Sequence, residues 1–162
     1  MPENAQWAED RATILTALGV LDPEGNPTER LNVVKAADVA RLTQDAWQKE
    51  RDKTLSICSQ CHSEGFALAE LEKGDQMIRQ ADRLLAGAIE TVADLYREEI
   101  IPKPVSYEFS YPDVLTFREA ATPIEIRLFE MFLEHRVRSF QGTFHSNPDY
   151  AFWYGWSEMR GT

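Results

Sequence analysis

The sequence predicts an all-α protein, a bundle of long antiparallel helices that ends in an aromatic-rich C-terminal tail. Apolar residues recur every three to four positions between 75 and 100, as on one face of a helix. Thr122, Pro123 and Glu125 predict the beginning of another helix, because Thr suits the N-cap, Pro suits the first turn and Glu completes a capping box. No stretch shows the apolar–polar alternation of a half-buried strand.

The composition is that of a single folded domain with an acidic surface. The chain has 162 residues, of which 43% are hydrophobic, and 27 acidic against 17 basic residues give a net charge of −10. This balance argues against a nucleic-acid surface and against binding to anionic membranes. No apolar run reaches the roughly 18 residues that a membrane-spanning helix needs.

Residues 1–36 are expected to form a lead-in to a helical domain over 37–162. A short helix is predicted over 4–18, and the segment 22–27 is rich in turn-forming residues. Asp38 is a plausible N-cap for a helix that runs to about His62. The apolar residues of that helix, which drift around more than one face, include Val39, Leu42 and Trp47.

The second half alternates long helices with one long loop. Asp75 can cap the helix predicted over 75–100, and Pro102 should stop it. Residues 101–121 predict a crossing loop whose apolar side chains must pack on something. These side chains are Tyr107, Phe109, Tyr111, Leu115 and Phe117. A helix over 122–142 follows, and beyond it six aromatic residues in the 13 positions 144–156 favour burial against a partner or a flat cofactor.

Both cysteines of the chain lie in the stretch Cys58-Ser59-Gln60-Cys61-His62. C-x-x-C-H is the attachment signal of c-type haem: two thiols form thioethers and the adjacent imidazole becomes an axial iron ligand. A zinc site would need two further ligands, and a thioredoxin-like pair would expect a βαβ setting. The motif therefore predicts one covalent haem c, with His62 as the proximal ligand.

The sixth iron ligand has two candidates in the chain. The helix before Cys58 arrives at the haem, the 75–100 helix leaves it and the 122–142 helix returns, so His145 should lie near the cysteines. His135 lies about ten residues earlier, roughly 15 Å along the same helix. Another chain segment, or no sixth ligand at all, remains open.

The segment Cys58 to Ser63, the long helices and the stretch Gly142 to Gly155 together resemble the C-terminal part of octahaem cytochromes c of the hydroxylamine oxidoreductase family. The resemblance runs from about Leu31 to Met159. C-x-x-C-H occurs in all c-type cytochromes, whereas its combination with a Pro-Asp-Tyr-x-x-Trp-x-Gly signature about 90 residues downstream is more specific.

The resemblance implies a role for each matching residue. Cys58, Cys61 and His62 look like the last haem-attachment motif of such proteins, and the helices look like the family's C-terminal bundle, through which subunits commonly associate as trimers. Tyr150 matches the tyrosine that is cross-linked to the catalytic haem of a neighbouring subunit in hydroxylamine-oxidising members. Related reductive members lack this cross-link, so Tyr150 alone does not set the direction of the nitrogen chemistry.

The chain departs from that family in carrying one haem motif where a full member carries eight. We therefore expect an electron-transfer domain or fragment of a multihaem cytochrome, without catalysis of its own. The start Met1-Pro2-Glu3-Asn4 is not a secretory signal, although haem c is normally attached outside the cytoplasm. The chain is thus expected to be periplasmic if loaded with haem, and to be one piece of a longer protein or assembly.

Two other functions fit the same sequence. The first is a helical oligomerisation module without a redox role, which would expose apolar faces on the 75–100 and 122–142 helices. The second is a small metal-binding protein that uses Cys58, Cys61, His62 and one more histidine.

Overall fold

The computed structural model describes residues 4–38, 43–116 and 119–162, and this part of the chain is helical with no strand. The all-α prediction is therefore confirmed. The helices of the N-terminal half are α1 (Ala5–Ala17), α2 (Arg30–Ala37), α3 (Gln44–Cys58) and α4 (Glu64–Arg97). In the C-terminal half, α5 (Pro123–Glu130), a π-helical turn (Met131–Arg136) and α6 (Val137–Phe144) follow one another directly.

The last helical stretch, called here the C-terminal helix, covers residues 148–161. It consists of α7 (Pro148–Tyr150), a second π-helical turn (Ala151–Trp156) and α8 (Ser157–Gly161). The aromatic residues predicted as a tail therefore lie on a helix. Asn147 begins this helix, since its side chain accepts a hydrogen bond from the backbone N–H of Tyr150 at 3.1 Å.

The hydrophobic core lies along α4, whose 34 residues make a rod of about 51 Å. Its buried side chains recur at spacings of three to four residues, as the sequence predicted. They include Ala81, Leu85, Ile89, Val92 and Tyr96. Helix α1 packs on this face through Ile14 and Ala17, so the N-terminal lead-in contributes to the same core as the rest of the chain.

Three boundaries in the first half differ from the sequence prediction. Asp38 does not begin a helix: it ends α2 in the left-handed conformation, with φ of 49°. Thr43 caps α3 instead, and Val39 and Leu42 lie outside the described residues. Helix α4 begins at Glu64, because the Ser63 side chain accepts a hydrogen bond from the N–H of Phe66 at 3.3 Å.

The long loop after α4 was predicted correctly, and it is anchored to the core. Tyr107 and Val114 are buried, and the N–H of Val114 donates to the carbonyl of Ala17 at 3.0 Å. Phe117, the last apolar residue predicted to pack from this loop, lies outside the described residues. The capping box at the beginning of α5 is confirmed, with Thr122 and Glu125 bonded reciprocally.

The carboxylate of Glu125 is buried and does more than complete the capping box. Its Oε1 atom accepts a hydrogen bond of 2.6 Å from the hydroxyl of Tyr96 on α4. Burial, together with this bond, raises the pKa of Tyr96 far above its usual range. The first turn of α5 is thereby fixed to the last turn of α4.

Candidate functional site

The C-x-x-C-H motif lies in the turn between α3 and α4. The carbonyl of Cys58, the last residue of α3, accepts hydrogen bonds from the N–H groups of Cys61 at 3.2 Å and His62 at 3.0 Å. The turn therefore continues the helical path, and residues three and four positions apart share one face of a helix. Both thiols and the imidazole thus belong to one face.

The residues around this turn are open to solvent. Cys61 and His62 are exposed and Cys58 is half-buried. The side chains of Ile57, at the end of α3, and Phe66, in the first turn of α4, are 60% and 50% exposed. The Phe66 ring lies 4.9 Å from the His62 ring, measured between centroids. The His62 imidazole and the Phe66 ring are therefore in contact on the exposed side of this turn.

The two cysteines are unpaired in the folded chain. Both cysteines are free thiols, so neither is engaged in a disulfide. Nowhere in the described ranges do three or more His, Cys, Asp or Glu side chains converge as they would around a metal ion.

None of the helices in those ranges has an apolar stretch long enough to cross a bilayer.

A bidentate ion pair joins the two helices of this hairpin. The Arg51 guanidinium on α3 contacts the Asp75 carboxylate on α4 at 3.0 and 2.8 Å. Helix α3, which the structure describes in full, contributes no buried residue, so this pair is a main point of attachment. Asp75 was predicted to cap a helix and lies instead in the interior of α4.

His145, the first candidate for the sixth ligand, lies directly after α6 and is exposed. Two residues earlier, Thr143 lies against α4, with its methyl group 2.9 Å from where a Cβ on Gly74 would be. Gly74 is 12 residues after His62, which corresponds to about 18 Å along a helix. The end of α6 therefore approaches the same half of α4 as the C-x-x-C-H turn.

His135, the second candidate, lies in the π-helical turn before α6. Its Nδ1 atom is buried and has no hydrogen-bond partner in the described part of the chain. The contact between Asp82 and the adjacent Arg136 places this turn about 12 Å further along α4 than Gly74. Along α4, the end of α6 with His145 therefore lies nearer to the C-x-x-C-H turn than His135 does.

Tyr150 lies in the first turn of the C-terminal helix, where it is half-buried. Its ring stacks on Tyr154 with 5.4 Å between centroids. Trp153 and Tyr154 are 61% and 58% exposed, so this helix presents aromatic side chains on its outer side. The inner side packs on α6, where a Cβ on Gly142 would lie 2.7 Å from the Cβ of Ala151.

Comparison with known proteins does not identify the chain. No protein-family model, curated protein or solved structure matches it. The resemblance to the hydroxylamine oxidoreductase family therefore stays a prediction from the residues named above.

Sequence reasoning missed Arg51, Asp75 and Phe66. One signal was readable, because Ser63 followed by Glu64 is a common helix beginning and would have placed Phe66 in the first turn of α4. The pairing of Arg51 with Asp75 had no such signal, since a contact between residues 24 positions apart on two helices has no local pattern.

Proposed function

We propose that this chain is a haem-c electron-transfer domain, equivalent to the C-terminal part of a multihaem cytochrome like those of the hydroxylamine oxidoreductase family. The observation that carries the proposal is the common face of Cys58, Cys61 and His62 at an exposed helical turn. Haem c would supply reversible one-electron transfer there. The two thiols hold the group covalently and the His62 imidazole provides the proximal nitrogen.

His145 and Phe66 are proposed to contribute to electron transfer through where they lie relative to the C-x-x-C-H turn. His145 is the proposed distal ligand, because the end of α6 meets α4 in the half of α4 that begins at this turn. The exposed surface around Phe66 leaves one side open, which suits outer-sphere exchange with a neighbouring haem in another segment or chain. The proposed location is periplasmic or otherwise extracytoplasmic, where haem c is attached.

The proposed architecture is an antiparallel bundle of α4 with the α5–α6 rod. Three contacts support it: the residue numbers on α4 decrease while the residue numbers on the α5–α6 rod increase, as in two antiparallel helices. These contacts are Tyr96 with Glu125, Asp82 with Arg136, and Gly74 with Thr143. We do not expect catalysis by the isolated chain, and a role for Tyr150 would arise only in an assembly that contains a catalytic haem.

Co-expression with a cytochrome c maturation system in the bacterial periplasm tests the haem. We expect the intact mass to rise by one haem and the reduced protein to show a c-type α-band. The double variant C58A/C61A should retain the unmodified mass, since both thioethers are lost. The variant H145A should keep the covalent haem, because it removes only a proposed axial ligand.

The same experiment can contradict the proposal in two ways. An unmodified mass for the wild-type chain, under conditions that load a control cytochrome c, would refute haem binding. Stoichiometric zinc, lost together with Cys58 and Cys61, would support the metal-binding alternative instead.

A second candidate function, oligomerisation, is favoured by an apolar stripe on the α5–α6 rod. Its members are large apolar side chains exposed to solvent, and a patch of such side chains is typical of an association surface. They are Ile126, Leu133, Val137 and Phe144, each between 39% and 71% exposed. Ile126 and Leu133 also line a shallow cavity of about 330 Å³.

We therefore expect the protein to form homo-oligomers, trimers by the resemblance, and the double variant L133E/V137E to be monomeric. A charged residue in an apolar contact is left without a partner, which strongly opposes association. Light scattering after size-exclusion chromatography measures the mass, and circular dichroism checks that the variant is still helical. A monomeric wild-type protein at high concentration would contradict this function and leave the haem proposal intact.

A further inference from the structure

Helix α3 carries Cys58 at its end, yet it is weakly held by packing. None of its residues, all of which the structure describes, is buried. The least exposed ion pair of α3 joins Arg51 to Asp75. Their side chains are 20% and 18% exposed. The two N–H···O contacts of 3.0 and 2.8 Å are parallel, which fixes orientation as well as distance.

The guanidinium is restrained on a second side by an aromatic ring. The Arg51 carbon between the nitrogens lies 5.2 Å from the centroid of the Trp47 ring, one turn earlier on α3. A cation over an aromatic face is attractive, and it limits the rotamers open to a long side chain. Trp47, Arg51 and Asp75 thus form a connected clamp between α3 and α4.

This clamp lies at the level where the end of α6 meets α4. Asp75 follows Gly74, the residue against which Thr143 lies. From this level, α3 continues for seven residues, about 10 Å, to Cys58. His145 is two residues beyond Thr143. The position of α3 on α4 therefore determines the separation between the haem-binding thiols and His145.

We propose that Arg51 and Asp75 are positioning residues that fix the end of α3 relative to His145 and so determine how completely the second imidazole binds the haem iron. The inference rests on the proposed function. Arg51 lies seven residues before Cys58, about two helical turns, and the pair is proposed to act through the placement of Cys58. The proposed haem-binding residues and the pair Arg51–Asp75 are different side chains, so each set can be replaced without altering the other.

The test is the spin state of the haem-loaded full-length protein, measured by absorption and electron paramagnetic resonance. In D75N and R51Q, the ratio of six-coordinate low-spin to five-coordinate high-spin haem should fall about tenfold, as expected for losing a charged hydrogen-bonded pair. In R51K this ratio should fall less, since an ammonium keeps the charge but not the bidentate geometry. H145A should reproduce the high-spin spectrum.

A matched control separates positioning from general destabilisation. Arg30 and Asp113 form a similar bidentate pair between α2 and the 101–121 loop. The variant D113N should lower stability without changing the spin state. An equal spin change in D113N, a low-spin H145A protein, or a wild-type haem that is already high-spin would each overturn the inference.

A measurement without haem distinguishes this failure from a failure of the proposed function. In a C58S/C61S background, spin labels attached through K49C on α3 and E72C on α4 report the distance between the helices. We expect a narrow distance distribution that broadens in D75N. If the wild-type chain takes up no haem, the proposed function fails, and the spin-label distances still test whether Arg51 and Asp75 hold α3 on α4. A distance distribution that is the same in D75N and in the wild-type protein overturns the clamp.

Discussion

Replacement of Asp82 by asparagine is expected to lower the free energy of unfolding by about 3–5 kcal/mol, the range for removing one partner of a buried ion pair. Asp82 lies on α4 with its side chain fully buried. Arg136 donates to its Oδ1 atom at 3.0 and 2.8 Å, and the indole of Trp7 donates to Oδ2 at 2.8 Å. The variant would leave the guanidinium of Arg136 buried without a counter-charge.

The direction of the Arg136 pKa explains why the effect should be large. Burial lowers the pKa of this guanidinium, and Asp82 opposes that shift by its charge and hydrogen bonds. Without Asp82, the two influences that remain, burial and repulsion from the Arg11 guanidinium, both lower the pKa. Because Trp7 belongs to α1, Asp82 to α4 and Arg136 to the π-helical turn, the loss should loosen three elements together.

Urea denaturation followed by circular dichroism measures the change. The control is D94N, because Asp94 and Arg97 form an ion pair on the exposed side of α4. Surface pairs of this kind contribute about 0–1 kcal/mol. Equal shifts in the two midpoints would contradict the assignment of Asp82 as a buried centre of the fold.

Part of this architecture was readable from the sequence because local rules suffice for it. The prediction over 4–18 matches α1, and Thr122 with Glu125 predicted the beginning of α5. Both rest on short-range signals, an apolar stripe and a capping box. Asp38 shows the limit of such signals, since aspartate suits both an N-cap and a left-handed residue at the end of a helix.

The C-terminal helix was missed for a different physical reason. Its centre, Ala151–Trp156, is π-helical, as is the turn Met131–Arg136. The helix over 122–142 was predicted in spite of its π-helical turn, because Thr122, Pro123 and Glu125 mark its beginning. Residues 151–156 are almost all apolar and therefore show no 3.6-residue period. The contact of Tyr96 with Glu125 was equally hidden, because a hydrogen bond between residues 29 positions apart has no local pattern.

The candidate site, too, was partly predictable from local sequence signals and partly dependent on contacts between distant residues. The identity of the chemical groups at Cys58, Cys61 and His62 comes from the motif alone, and the structure adds their common face. The preference for His145 over His135 needed the contact between Thr143 and Gly74. The clamp at Arg51 needed the position of α3 on α4, which no spacing rule supplies.

Replacement of Gly155 by alanine is expected to destabilise the protein by about 3 kcal/mol, near the upper end for overpacking. A Cβ at this position would lie 2.7 Å from the Cα of Ser139 on α6 and closer still to its backbone nitrogen. Backbone atoms cannot rotate away as the end of a flexible side chain can. The C-terminal helix would have to shift away from α6.

Gly87→Ala is the matched control, because Gly87 lies on the exposed side of α4 with open space around the position of a Cβ. It should stabilise the protein by about 1 kcal/mol, the difference in helix propensity between the two residues. Thermal and urea denaturation of both variants give the comparison. A Gly155→Ala protein as stable as the wild type would show that α6 and the C-terminal helix do not approach so closely.

The consequence for the site follows from where the two helices meet. Gly142 makes a second close contact, with Ala151, about one turn from the contact of Gly155 with Ser139 in the same interface. The losses of stability caused by G155A and G142A should therefore not be additive, since the first substitution already separates the helices. In a haem-loaded protein, the shift should displace Tyr150 and leave the covalent attachment at Cys58 unchanged, because the attachment depends on the turn after α3 alone.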